Sequence, residues 1–74
     1  GFRNFKAELQ ELFQKERKFL PEYRVVREEG PDHDKIFTVC VYSEKTAIGH
    51  GVGKTKKEAE QAAAEDALDS ILFD

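Results

Sequence analysis

Ala59, Ala63 and Ala67 recur at every fourth position and the row continues to Ile71, with Ala62 and Leu68 joining it. At helical period this makes one apolar face, and its side chains are mostly single methyl groups. Small alanines allow a helix to approach a sheet closely, so the chain needs a sheet for this helix to lie on. The start of the helix is written in Thr55-Lys56-Lys57-Glu58. In such a capping box the Thr55 hydroxyl accepts the N–H of Glu58, while the Glu58 carboxylate reaches back to the N–H of Thr55.

The strands for that sheet precede the helix. Tyr23 to Glu29 is rich in β-branched and aromatic residues, and Gly30-Pro31-Asp32-His33-Asp34 interrupts it as a loop. Lys35 to Tyr42 is the clearest strand, with Phe37, Val39 and Val41 alternating onto one face. Ser43-Glu44-Lys45 reads as a turn, and Thr46 to Val52 as a third strand weakened by Gly49 and Gly51. Short connections predict an antiparallel meander. Ahead of the strands, Asn4 suits the N-cap of a helix extending to about Phe19. Phe5, Leu9, Leu12 and Phe13 give it one apolar face, and Pro21 ends it. The predicted fold is α+β: α-β-β-β-α, a three-stranded antiparallel sheet with both helices on one face and the other face open.

Length and composition bound what such a domain can be. Seventy-four residues suffice for one small domain. The single cysteine, Cys40, excludes an internal disulfide and suits a reducing, cytoplasmic setting. No apolar run approaches the ~20 residues of a membrane span, and no signal-peptide pattern opens the chain. It starts at Gly1, and is expected to be a piece of a longer protein. Charged residues make up 36% of the chain, yet the net charge is −3. Any binding to nucleic acid must therefore depend on where the positive charges sit.

Three clusters could carry such binding. Lys54, Lys56 and Lys57 surround Thr55 where the last helix starts. That end already presents unpaired N–H groups and a positive dipole, which favour phosphate. Lysines there oppose the dipole, so the placement is poor for stability; the alternative is a solvated charged turn. The second cluster is Lys6, Gln10, Gln14 and Arg17, an acid-free stripe of the first helix, although Glu8, Glu11 and Glu16 lie between them in sequence. Its glutamines could hydrogen-bond ribose hydroxyls and base edges; the alternative is an ordinary polar face. The third is the loop of Gly30, Pro31, Asp32 and His33, which could also be plain turn chemistry. Adjacent Asp32, His33 and Asp34 rarely converge on a metal, and a chain this short offers little volume for an acid–base pocket. Cys40 has no basic residue close in sequence and reads as a passive thiol.

Gly-Pro-Asp-His in the first strand connection, the Gly49-His50-Gly51-Val52-Gly53 run and Lys54-Thr55-Lys56-Lys57-Glu58-Ala59-Glu60-Gln61-Ala62-Ala63 together resemble the double-stranded-RNA-binding domain family. The resemblance covers about residues 5–72 of a single domain spanning 1–74. Phe5-Lys6, Leu9-Gln10-Glu11, Gln14-Lys15 and Leu20-Pro21-Glu22-Tyr23 are similar to the C-terminal domain of bacterial ribonuclease III.

The resemblance implies duplex RNA as partner, with no membrane or small-molecule substrate. The first helix would enter one minor groove through Lys6, Gln10 and Gln14. Gly30, Pro31, Asp32 and His33 would meet the next. Lys54, Lys56 and Lys57 would contact phosphates across the intervening major groove, with Thr55 and Gln61 nearby. Such domains span roughly 16 base pairs, reading mostly shape and 2′-hydroxyls. The resemblance further implies a parent endoribonuclease that processes RNA duplexes, compatible with a homodimer, whose magnesium ligands lie in a separate catalytic domain. The 74 residues hold no match to those ligands, so the chain itself is expected to bind and not to cleave. One departure is acid on the last helix: Glu65 and Asp66 where lysines often occur, then Asp69 and Asp74. That acid weighs against strong unaided binding. The net charge of −3 supports an alternative, a protein-interaction or dimerisation module of the same fold with weak RNA binding, which Lys54, Lys56 and Lys57 together oppose.

Overall fold

The computed structural model describes residues 2–73. The expected acid at Asp74 and the opening Gly1 lie outside them. Element order is α1 (Phe5–Lys15), β1 (Glu22–Glu29), β2 (Ile36–Ser43), β3 (Thr46–Gly53) and α2 (Lys56–Phe73). The strands form one antiparallel sheet in the order β1-β2-β3, as the sequence predicts.

Both helices lie on one face of the sheet, but they share it unequally. α2 packs on β3 and β2, while α1 packs mainly on α2. The core is Leu9 and Phe13 of α1, Val39 and Val41 of β2, and Ala59, Ala63, Ala64, Ala67 and Leu68 of α2. Phe37 packs against its edge. β1 is exposed along nearly all its length, and only Tyr23 is half-buried.

The glycines expected to weaken β3 are the seat of α2. Val39 pairs with Gly51 and Val41 with Gly49, so these glycines share the core face with the two buried valines. A Cβ on Gly51 would stand 2.3 Å from the backbone nitrogen of Ala63, and one on Gly49 would stand 2.7 Å from the Ala63 carbonyl oxygen. Bare backbone on β3 and methyl groups on α2 let the two surfaces touch, which is what the alanine row requires. Ile71, assigned to that row, is 43% exposed. Gly49 already faces Ala67, and the pairing of β3 slips just before it, at Ile48, so the helix passes the straight part of the strand before Ile71.

Helix ends differ from expectation in two places. α1 stops at Lys15, not near Phe19. Arg17 takes a left-handed φ of 57°, its N–H donates to the Gln14 carbonyl at 3.1 Å, and the Lys18 N–H donates to the Phe13 carbonyl at 2.9 Å. This pair of bonds closes a Schellman termination before Pro21 is reached. At α2 the Thr55 hydroxyl accepts from the Glu58 N–H at 3.0 Å, as predicted. The Glu58 carboxylate, however, accepts from the N–H of Lys54 at 3.1 Å, one residue earlier than a capping box specifies.

Candidate nucleic-acid interface

The three clusters sit on a common frame. Phe37, just after the β1–β2 loop, pairs with Gly53, just before α2, and the Lys56 ammonium lies 5.9 Å from the Phe37 ring centroid. The loop and the start of α2 therefore occupy the same end of the sheet. α1 begins beside Gln61, little more than a turn into α2, and runs alongside that helix towards Leu72.

At the start of α2, Lys54, Lys56 and Lys57 are exposed, and among the described residues none is in an ion pair. Thr55 is occupied as the cap. Three unpaired ammonium groups thus surround a helix end that already carries positive charge. In the loop, Gly30 has φ 91°, and a Cβ there would meet the Asp34 carbonyl oxygen at 2.5 Å. The Asp34 N–H donates to the Pro31 carbonyl at 2.9 Å, so residues 31–34 close as a turn. Pro31, Asp32 and His33 stand exposed on it, with Asp32 Oδ1 3.6 Å from Lys35 Nζ. Among the described residues no cluster of His, Cys, Asp or Glu could hold a metal ion.

The α1 stripe is shorter than its sequence spacing. Gln10 and Gln14 are exposed, one turn apart, and neither side chain is hydrogen-bonded to another described residue. Arg17 has left the helix and no longer continues their line. Lys6 is held inward: its ammonium pairs with Glu60 and lies 4.8 Å from the Tyr23 ring centroid. That engagement limits what Lys6 can give to a ligand.

Gln61, expected near the interface, is hydrogen-bonded to the start of α1. Its Oε1 accepts from the Phe5 N–H at 2.8 Å and the Lys6 N–H at 3.4 Å, and its Nε2 donates to Asn4 Oδ1 at 3.0 Å. Asn4 Oδ1 in turn accepts from the Ala7 N–H at 3.0 Å, as an N-cap should. Asn4 and Gln61 are 57 residues apart. No local signal could have revealed the link. Glu60 and Asp66 were equally illegible. Asp66 Oδ2 accepts from the His50 N–H at 2.9 Å and so ties α2 to β3. Part of the acid that departs from the family pattern thus has a structural use.

Burial, with a smaller contribution from the Glu60 charge, pushes the Tyr23 hydroxyl up to about 12. Its oxygen is buried without a hydrogen-bond partner. Cys40 is half-buried, and its cross-strand neighbours are Arg24 and His50, two basic residues that its sequence neighbourhood did not suggest.

Residues 5–71 match the family model described as double-stranded RNA binding motif. The chain is 50% identical over 72 residues to Ribonuclease 3 of Syntrophobacter fumaroxidans, covering 97% of this chain and 30% of that protein. With Ribonuclease 3 of Borreliella burgdorferi it shares 49% over 70 residues, covering 95% of this chain and 29% of that one. The chain therefore spans less than a third of the curated relatives it matches. A structure of Arabidopsis HYL1, reported for its molecular implications for miRNA processing, aligns with a TM-score of 0.82 at 37% identity, covering 93% of this chain and 97% of that one.

Proposed function

The chain belongs to the double-stranded RNA binding motif family, and from that premise we propose that it holds duplex RNA as the substrate-binding part of a ribonuclease III-type endoribonuclease in the cytoplasm. One observation carries the reading. Lys54, Lys56 and Lys57 are exposed and unpaired among the described residues, at the same end of the sheet as the residue 30–33 loop, and Gln10 and Gln14 stand exposed on the helix beside them. Charge placed this way serves a ligand and not the fold. The lysines take phosphates across the major groove, and the loop and the glutamines take the flanking minor grooves. Lys6, held by Glu60, contributes less than its position in the sequence implies.

Cleavage in such an enzyme, with its magnesium, belongs to a catalytic domain outside these residues. The relatives' unshared length, more than two thirds of each, leaves room for one. The chain's own part is to hold the duplex, and its net charge of −3 makes that hold depend on the lysine cluster.

Titrations with duplex RNA and duplex DNA of equal length, at several salt concentrations, test the reading. RNA should bind more tightly, because A-form grooves and 2′-hydroxyls are what the three regions suit. Lys56→Ala with Lys57→Ala should weaken binding evenly across sequences and flatten the slope of log K against log salt by about one to two units. Equal affinity for both duplexes, or an unchanged slope, would overturn it.

A further inference from the structure

α1 and α2 leave a groove between them on the flank away from the glutamines. It is floored by Leu12, Leu68 and Leu72 and edged by Glu8, Glu11 and Lys15. Leu12 is two residues from both Gln10 and Gln14, so it lies roughly 160° around α1 from each. A ligand in the groove and a ligand on the glutamines would not compete for the same face. Leu72 is 58% exposed, although it borders the core residue Leu68.

The charge around the groove is acidic at one end. Arg3 forks onto Glu8, with its Nη2 2.6 Å and its Nε 3.0 Å from the two carboxylate oxygens. Glu65 and Asp69 are exposed on α2, each three residues before a groove leucine, Leu68 and Leu72, and so on the same side of the helix. Arg3 also stacks 4.6 Å from the Phe5 ring centroid. The chain's own N-terminal segment thus shows what this end accepts: a guanidinium forked onto a carboxylate. Glu11, Glu65 and Asp69 have no ion-pair partner among the described residues. Such a rim repels phosphate and attracts cations. The other end carries Lys15.

We propose that this groove docks a basic, leucine-bearing segment of a protein partner, with apolar side chains on Leu12, Leu68 and Leu72 and its lysines or arginines towards Glu11, Glu65 and Asp69. Apolar anchors framed by complementary charge are the usual way an amphipathic helix seats in a groove. Lys15 sets the direction, since an acidic end of the segment would face it. The occupant is a protein and not RNA because the acid stands where phosphates would have to pass. The domain would then hold RNA on one flank of α1 and protein on the other.

The probe is a synthetic helical peptide of leucines and lysines, titrated into isotope-labelled chain and followed by backbone NMR shifts. Shifts confined to α1 residues 8–15 and α2 residues 65–72 are expected. Affinity should fall about tenfold in Leu72→Ser and also in Glu11→Lys. Both positions are exposed, so the fold should persist, and the NMR spectrum itself reports whether it does. The same peptide with glutamate in place of lysine should not bind. Duplex RNA should move Gln10 and Gln14 but leave the groove resonances of Leu68 and Leu72 in place, and the peptide should still bind in its presence. The proposal is overturned if the lysine peptide fails to bind, if its shifts spread over the sheet, if both variants bind it like the parent, or if the glutamate peptide binds equally. Movement of the groove resonances by duplex RNA, or by raising the concentration of the chain alone, would assign the groove to nucleic acid or to a second copy and overturn it too. The peptide arms need no RNA, so they stand even if the chain binds none.

Discussion

Gln61 donates its side-chain N–H to the Oδ1 of Asn4, the atom that caps α1, and accepts the Phe5 N–H beside it. One amide therefore fixes where α1 starts relative to α2. Gln61→Ala removes these bonds and leaves a first-turn N–H without its partner. It should cost about 1–2 kcal/mol of stability. Chemical denaturation checks the cost. RNA affinity measured well below the melting temperature should stay near the parent value, and a large loss with an intact fold would return Gln61 to the interface.

The contact of β3 with α2 admits an equally direct test. Gly51→Ala places a methyl group 2.3 Å from the Ala63 nitrogen and 2.5 Å from the Ala62 Cβ. Backbone cannot yield as a flexible side chain does, so helix and strand must separate. The expected loss is about 3 kcal/mol, at the upper end of ordinary overpacking. A thermal melt reads it, and a melting temperature unchanged within error would mean the helix sits further off than the glycine row implies.

How much of this was legible in the sequence follows the range of each interaction. Thr55 and Asn4 act within one turn, so their caps could be read from neighbours. The alternation of Phe37, Val39 and Val41 gave the core face of β2 for the same reason. Arg17 was misread as helix because only Gly or Asn advertises a left-handed turn, and here an arginine adopts it. Gly49 and Gly51 were read as weakness because their use appears only against Ala63 and Ala67, far along the chain. The exposure of the lysine cluster and of the loop follows from their polar composition, which is local. That Lys6 is tied to Glu60, and Gln61 to Asn4, needed the packing of α1 on α2.

Tyr23 offers a pH test. Its hydroxyl is raised from 10.0 to about 12, mainly by burial. Between those values the unfolded chain has lost the proton and the folded chain has kept it, so stability falls as pH rises. The contribution is intact below pH 10 and declines as the pH passes through about 12. Tyr23→Phe should remove that part of the alkaline decline. At neutral pH it should also raise stability by up to about 1 kcal/mol, because it deletes a buried hydroxyl without a partner. Denaturation of both proteins from pH 7 upward gives the difference curve. A curve flat in pH would show that the hydroxyl ionises as it does in water.

Gln10 and Gln14 give the most discriminating test of the RNA reading. Both are exposed on one turn of α1, and neither is hydrogen-bonded to another described residue, so their removal should leave the fold unharmed. They carry no charge and contribute little to counterion release. A side-chain amide can both donate to and accept from 2′-hydroxyls and base edges in a minor groove. The Gln10→Ala, Gln14→Ala protein should therefore lose about 1–3 kcal/mol of binding, from two or so hydrogen bonds at typical net values. Its salt slope should stay near that of the parent, in contrast to the lysine variants, and any preference among RNA duplexes should diminish. Titrations of both proteins at several salt concentrations separate the two effects. If the double variant binds as tightly as the parent, α1 does not enter the groove, and its two glutamines are an ordinary polar face beside a lysine cluster that binds alone.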